Sequence, residues 1–159
     1  MAILKEGDNA PEFSLTDNEG KFHSLKNYSG EKLIIFFYPR ANTPGCTVEA
    51  CNLRDYFNDL RNKGYSILGV SADTEKSQQS FSKKYNFPFP LLADVEKVMI
   101  NAYGVWGPKK FRGKEYDGIL RKTFLVDEEG IITRIIDKVK TKDHAAQILE
   151  EWKIILLFQ

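Results

Sequence analysis

Between Lys32 and Tyr38 the chain runs through Leu-Ile-Ile-Phe-Phe before Pro39 stops it, and such a run predicts a central strand buried on both faces. From Cys46 to Asn62, the residues Val48, Cys51, Leu53, Phe57 and Leu60 recur at spacings that predict an amphipathic helix, with Gly64 as its ending signal. Tyr65–Ser71 predicts a second strand and Thr74–Tyr85 a second helix with Phe81 and Tyr85 turned inward. A short extended piece, Phe89–Leu92, follows Pro88, and Val95–Tyr103 predicts another helix. Arg121–Val126 and Ile131–Asp137 predict strands joined by the turn Asp127-Glu128-Glu129-Gly130, and a last helix runs from Thr141 to at least Glu150. Near the start, Phe13–Leu15 and Lys21–Leu25 flank Asp17-Asn18-Glu19-Gly20 and predict an amino-terminal hairpin.

Strand, helix, strand, helix, hairpin and last helix is the order of a thioredoxin-like α/β fold, a mixed central sheet flanked by helices, here with an N-terminal β-hairpin. No internal repeat or low-complexity linker interrupts it, and 159 residues suit one domain spanning 1–159. Charge adds little to this picture: 23 Lys and Arg stand against 22 Asp and Glu, which gives no electrostatic reason to expect nucleic acid or an anionic membrane as partner. Residues Met1–Ala10 carry Lys5, Glu6 and Asp8 and no apolar run of the kind export requires, so the expected location is the cytoplasm. Two cysteines are too few for a disulfide scaffold, and in a reducing compartment they point to catalysis or redox sensing.

The chemistry concentrates where the first buried strand gives way to the helix after it, at the carboxyl end of the strand. In Pro39-Arg40-Ala41-Asn42-Thr43-Pro44-Gly45-Cys46, Thr43 fits a helix cap, Pro44 the first helical position, and Cys46 the first turn. Unpaired amides and the helix dipole favour an anion there, and the thiolate is the nucleophilic form of a cysteine. Rapid attack by such a thiolate also needs donors that align its electrophile and stabilise charge on the departing atom. The Thr43 hydroxyl, the Cys46 amide and an arginine could supply them. Cys51 adds a constraint. Residues five apart on a helix have Cα atoms ~8.6 Å apart, whereas a disulfide needs roughly 4.4 to 6.8 Å. A Cys46–Cys51 bond therefore requires the helix to unwind locally, over about Thr43 to Leu53.

With these residues in view, the chain closely resembles the peroxiredoxins, and among them the bacterioferritin comigratory protein or peroxiredoxin Q group. The resemblance rests on Phe37-Tyr38-Pro39, Asn42-Thr43-Pro44-Gly45-Cys46-Thr47, Glu49-Ala50-Cys51 and Arg54-Asp55. Gly7-Asp8, Ala10-Pro11, Phe13, Gly69-Val70-Ser71, Gly104-Val105-Trp106-Gly107 and Ile119–Phe124 extend it to about Leu149. It implies that Cys46 is the peroxidatic cysteine, oxidised to a sulfenic acid, and that Cys51 is the resolving cysteine that closes an intramolecular disulfide. It further implies that Thr43 contacts the thiolate and peroxide, that Pro39 shields the pocket from water, and that Arg121 lies against the thiolate from a neighbouring strand. Arg40 and Trp106 read as structural or rim residues. Members of this group are commonly recycled by thioredoxin and need no metal or organic cofactor.

The residues admit other readings as well. A free cysteine is commonly a small buried hydrophobe, and a zinc site is a second alternative, although His23 and His144 lie far apart in sequence. A thiol–disulfide reductase on the same fold is a rival, but the cysteine spacing exceeds Cys-x-x-Cys and no proline follows Pro108. A redox-sensing chaperone or binding module is another, suggested by the apolar stretch from Lys153 to Gln159. That stretch extends the last helix or packs on the body of the fold, and its sharper reading is a surface for weak dimerisation of an otherwise monomeric protein.

Overall fold

The computed structural model describes residues 3–157, with side chains described through residue 151. Strand β3 (Lys32–Phe37) sits at the centre of a five-stranded sheet. It pairs in parallel with β4 (Tyr65–Ser71) and antiparallel with β8 (Lys122–Val126). Beyond them lie β5 (Leu91–Ala93), parallel to β4, and β9 (Ile132–Ile136), antiparallel to β8. This is the mixed sheet expected from the sequence. The continuous apolar run of β3 is needed because both of its faces are covered: Ile34 and Phe36 enter one core, Leu33, Ile35 and Phe37 the other.

On the first face pack Cys46, Ala50 and Leu53 of α1 (Pro44–Asp55), Phe81 of α3 (Glu75–Tyr85), and Ala145 and Ile148 of α5 (His144–Leu157). The second face takes Met99 and Ile100 of α4 (Val98–Ala102), together with Phe13 and Tyr103. The amino-terminal hairpin is present as β1 (Ser14–Thr16) and β2 (Phe22–Ser24). Gly69 in β4 allows a close approach of its neighbours. A Cβ there would lie 2.7 Å from Leu91 Cδ2 and 2.8 Å from Phe36 Cζ.

Three elements differ from the pattern-based expectation. The helix expected over Cys46–Asn62 bends at Tyr56 (φ −107°, ψ 18°) into α1 and α2 (Phe57–Asn62). Its buried stripe is Cys46, Glu49, Ala50 and Leu53, while Val48 is exposed and Cys51 half-buried, because a buried Glu49 reads as polar in a hydrophobicity pattern. The helix expected from Val95 begins only at Val98. The Asp94 carboxylate accepts from the amides of Val98 (3.0 Å) and Ile100 (2.8 Å), and Lys97 takes a left-handed φ of 60°, which makes residues 95–97 a turn. An additional hairpin, β6 (Trp106–Phe111) and β7 (Lys114–Ile119), escaped the pattern because its strands are mostly exposed and rich in charge. Arg112 and Gly113 form its two-residue turn at φ 52° and 79°, the positive pair that hairpin twist favours. The α5 backbone continues past Glu150 to Leu157, whereas the side chains of the apolar stretch lie outside the described residues.

Candidate active site

The loop after β3 is fastened before it reaches the helix. Tyr38 N donates to Val70 O at 3.1 Å, and its hydroxyl donates to Gln78, which is anchored in turn by bonds to Ser71 Oγ (2.8 Å) and Leu92 O (2.9 Å). Pro39 is half-buried, and Ala41 N donates to Asp73 Oδ2 at 2.8 Å. Asn42 takes a left-handed φ of 63°, a conformation Asn tolerates better than most residues, and so turns the chain into α1. Thr43 occupies the N-cap position with extended backbone, and Pro44 opens the helix as expected. The Thr43 side chain corrects the capping expectation: its hydroxyl donates to Arg40 O at 2.7 Å and makes no capping bond. Cys46 therefore lies in the first helical turn, with 1% of its surface exposed.

Arg121, just before β8, closes the site from the sheet. Its Nη2 lies 3.4 Å from Cys46 Sγ and its Nη1 2.5 Å from Glu49 Oε1. Glu49 is fully buried, and burial pushes its carboxyl up to about 7 against the opposing pull of Arg121. Burial works against the Arg121 charge too, but Glu49 and Cys46 outweigh it and raise its pKa. Gly45 leaves room for this arrangement, since a Cβ there would lie 3.2 Å from Arg121 Nη2. Lys109 of β6 is a second cation nearby; its Nζ donates to Ile119 O at 2.8 Å, and burial followed by repulsion from Arg121 lowers its pKa. Cys51 shares α1 with Cys46, and burial raises its thiol, which favours the protonated form. Both cysteines are free in an intact helix.

A buried sulfur facing a guanidinium at the start of a helix can attack an electrophile as an anion while the cation takes up charge on the leaving atom. Comparison with known proteins supplies the family. The sequence profile of the AhpC/TSA family matches residues 6–135. Peroxiredoxin Bcp of Escherichia coli K12 is 43% identical over 149 residues, covering 94% of this chain and 96% of its own. The chain belongs to the AhpC/TSA peroxiredoxins. Peroxiredoxin Bcp of Bacillus subtilis 168 is 42% identical over 150 residues, covering 94% and 96% of the two chains. A Xanthomonas campestris peroxiredoxin Q structure superposes with a TM-score of 0.83 at 36% identity, over 89% of this chain and 90% of that one. This peroxiredoxin is thus a thiol-dependent peroxidase with the thioredoxin-like fold of the Bcp and peroxiredoxin Q group.

Of the residues singled out in the sequence, the fold brings Cys46 and Arg121 into direct contact, places Cys51 on the same helix, and sets Thr43 and Pro39 in the loop that enters it. Sequence reasoning missed Glu49, His144 and Lys109 as members of the site's surroundings. Glu49 follows Cys46 by three positions and so shares its helix face, a signal that was available. His144 and Lys109 carry no local signal, because each reaches the site through tertiary packing alone. Among the described residues no group of His, Cys, Asp and Glu could hold a metal ion, and no helix is long and apolar enough to cross a membrane.

Proposed function

We propose that Cys46 is the peroxidatic nucleophile and Cys51 the residue that resolves its oxidised form. The observation that carries this reading is the Arg121 guanidinium held 3.4 Å from a buried Cys46 sulfur in a first helical turn. The Cys46 thiolate attacks one peroxide oxygen: an S–O bond forms, the O–O bond breaks, and the sulfur is oxidised to sulfenic acid. The departing oxide takes a proton and leaves as water or an alcohol. Arg121 stabilises the negative charge as it moves from sulfur to oxygen. Thr43 contributes its hydroxyl after turning from Arg40 O, and Pro39 limits access of water. Cys51 thiol then attacks the sulfenic sulfur, expelling water and forming the disulfide, and a dithiol reductant of the thioredoxin type returns both thiols. Hydrogen peroxide and organic hydroperoxides both suit this chemistry, which needs no metal or organic cofactor.

The chain works as a monomer in the cytoplasm in this reading: the cysteine pair lies within one helix and needs no second subunit, and a reducing compartment keeps it supplied with electrons. Light scattering of the full chain and of one ending before Ile154 tests the weak dimerisation expected of the apolar stretch. Equal masses remove that idea. The central test is a peroxide challenge of reduced protein, following thiol loss. Cys46→Ser is expected to abolish peroxide consumption, and Cys51→Ser to complete one turnover and then depend on an added small thiol. Peroxide turnover that persists in Cys46→Ser overturns the assignment.

A further inference from the structure

Glu49 Oε2 is buried without a hydrogen-bond partner and lies 3.6 Å from His144 Nε2, in a spot where both residues are wholly shielded from solvent. The hydrogen on the histidine ring is fixed by bonds on its far side. Gln147 Oε1 accepts from Lys140 N at 2.8 Å while Gln147 Nε2 donates to Lys138 O at 2.9 Å, which sets the orientation of the amide. His144 Nδ1, 2.9 Å from the same Oε1, must therefore be the donor. In the neutral ring this leaves Nε2 bare, accepting from the Thr123 hydroxyl at 2.7 Å. An ionised Glu49 would then point an unsatisfied oxygen at a nitrogen lone pair in a place water does not reach. One proton removes the conflict. On Glu49 it makes a hydroxyl donor that competes with Thr123 for the one lone pair of Nε2, and on His144 it makes a cation facing the carboxylate.

We propose that His144 is a positioning residue for the peroxidase site: it and Glu49 share one proton in the folded helix, and this proton sets the charge that Glu49 presents to Arg121. The inference rests on the peroxidase reading above for its functional consequence, though not for the proton itself. With the proton in place, the Glu49–His144 pair is neutral as a whole and leaves more of the guanidinium charge to Cys46 and the peroxide. Without it, a buried anion draws Arg121 away. The groups facing the pair are Arg121 from the segment before β8, Cys46 one turn earlier on α1, Thr123 on β8 and Gln147 on α5. Lys142 and Asp143, in the turn that packs against α1, are exposed. Burial supports the same assignment, holding the Glu49 carboxyl at about 7 and pushing the His144 imidazole down to about 4, so the proton belongs chiefly to Glu49 near neutrality.

The test is a carbon-13 NMR titration of side-chain carboxyls in reduced wild-type protein, with Glu49 assigned through bonds and no peroxide present. Alongside it, the single-turnover rate of Cys46 oxidation is measured against pH. The Glu49 signal is expected to titrate near pH 7, with a fall in oxidation rate above the same midpoint superimposed on the rise from thiolate formation. His144→Ala removes the acceptor and should lower both midpoints together. Thr123→Val, nearly the same shape, frees Nε2 for Glu49 and should raise them. Glu49→Gln, whose amide N–H can donate to Nε2 at every pH, should lose the falling limb. Glu49 titrating in the ordinary carboxylate range in the wild-type protein overturns the proposal, as does a falling limb that persists in Glu49→Gln. If no variant oxidises with peroxide while the carboxyl still titrates near neutrality, the peroxidase reading fails and the shared proton stands.

Discussion

Arg121 is a preset group rather than a mobile one, because Glu49 grips one nitrogen of its guanidinium while the other faces Cys46. Preset charge in a buried site is what stabilises a transition state without reorganisation at the moment of reaction. Arg121→Gln is expected to slow Cys46 oxidation by about 10² to 10³, measured by stopped-flow against peroxide concentration. It also strands Glu49, and an anion without its cation in a buried place is destabilising. Glu49 can escape by taking a proton, so the loss of stability in Arg121→Gln should be larger at pH 8 than at pH 6. Gly45→Ala offers a gentler probe: its new methyl would sit 3.2 Å from Arg121 Nη2 and must push the guanidinium aside. Its oxidation rate should fall while its denaturation midpoint changes little, a separation that a packing role alone would not give.

Helix α1 carries two cysteines that cannot bond while it stays helical, their Cα atoms being ~8.6 Å apart in regular geometry. Its two ends are secured differently. The carboxyl half is tied down by Arg54 donating to Tyr85 O (2.8 Å) and by Asn52 bonding both Lys142 O (2.9 Å) and Ala145 N (2.8 Å). The amino half is held by the Thr43 region and by the Cys46–Arg121–Glu49 contacts, and a Cys46–Cys51 disulfide would take the sulfur out of the first of these. Hydrogen exchange on the disulfide form should therefore show lost protection around Cys46–Cys51 and retained protection from Leu53 onward. Equal protection of the whole helix in both redox forms would sink the unwinding step. In the sheet, Gly69→Ala forces a methyl to within 2.7 Å of Leu91 and 2.8 Å of Phe36. Such overpacking typically costs about 1 to 3 kcal/mol, readable as a lowered denaturant midpoint with the m-value unchanged.

Across the whole molecule the buried pair behind the site links stability to pH. Glu49 rises from 4.5 to about 7 on folding, so its contribution to stability is full below pH 4.5 and is lost as pH rises through about 7. His144 falls from 6.5 to about 4, so its contribution is present above pH 6.5 and is lost as pH falls through about 4. The two slopes oppose each other between these limits and partly cancel in the wild-type protein. Glu49→Gln removes one of them. Its stability relative to wild type should climb from about pH 4.5 to about pH 7 and level off beyond, measured by urea denaturation of the reduced proteins at a series of pH values.

Local periodicity and the fixed chemistry of Pro and Cys were enough to place the central strand, the helix start at Pro44 and the cysteine pair. Leu33–Phe37 reads as a run buried on both faces, and Thr43-Pro44 fits a helix entry. The resemblance named Arg121 and its place against the thiolate, and tertiary packing delivers it from the segment before β8, 3.4 Å from Cys46 Sγ. The exposed hairpin at Trp106–Ile119 stayed hidden because charged strands leave no apolar period to read. Glu49 and His144 were decided by packing in the strict sense: what each group does depends on the absence of water and on which atoms face it, and neither property is written in residue order. Cys46 was legible as a candidate nucleophile because its helix is local, whereas the charge that surrounds it was not, because that charge is assembled from α1, α5 and the segment before β8.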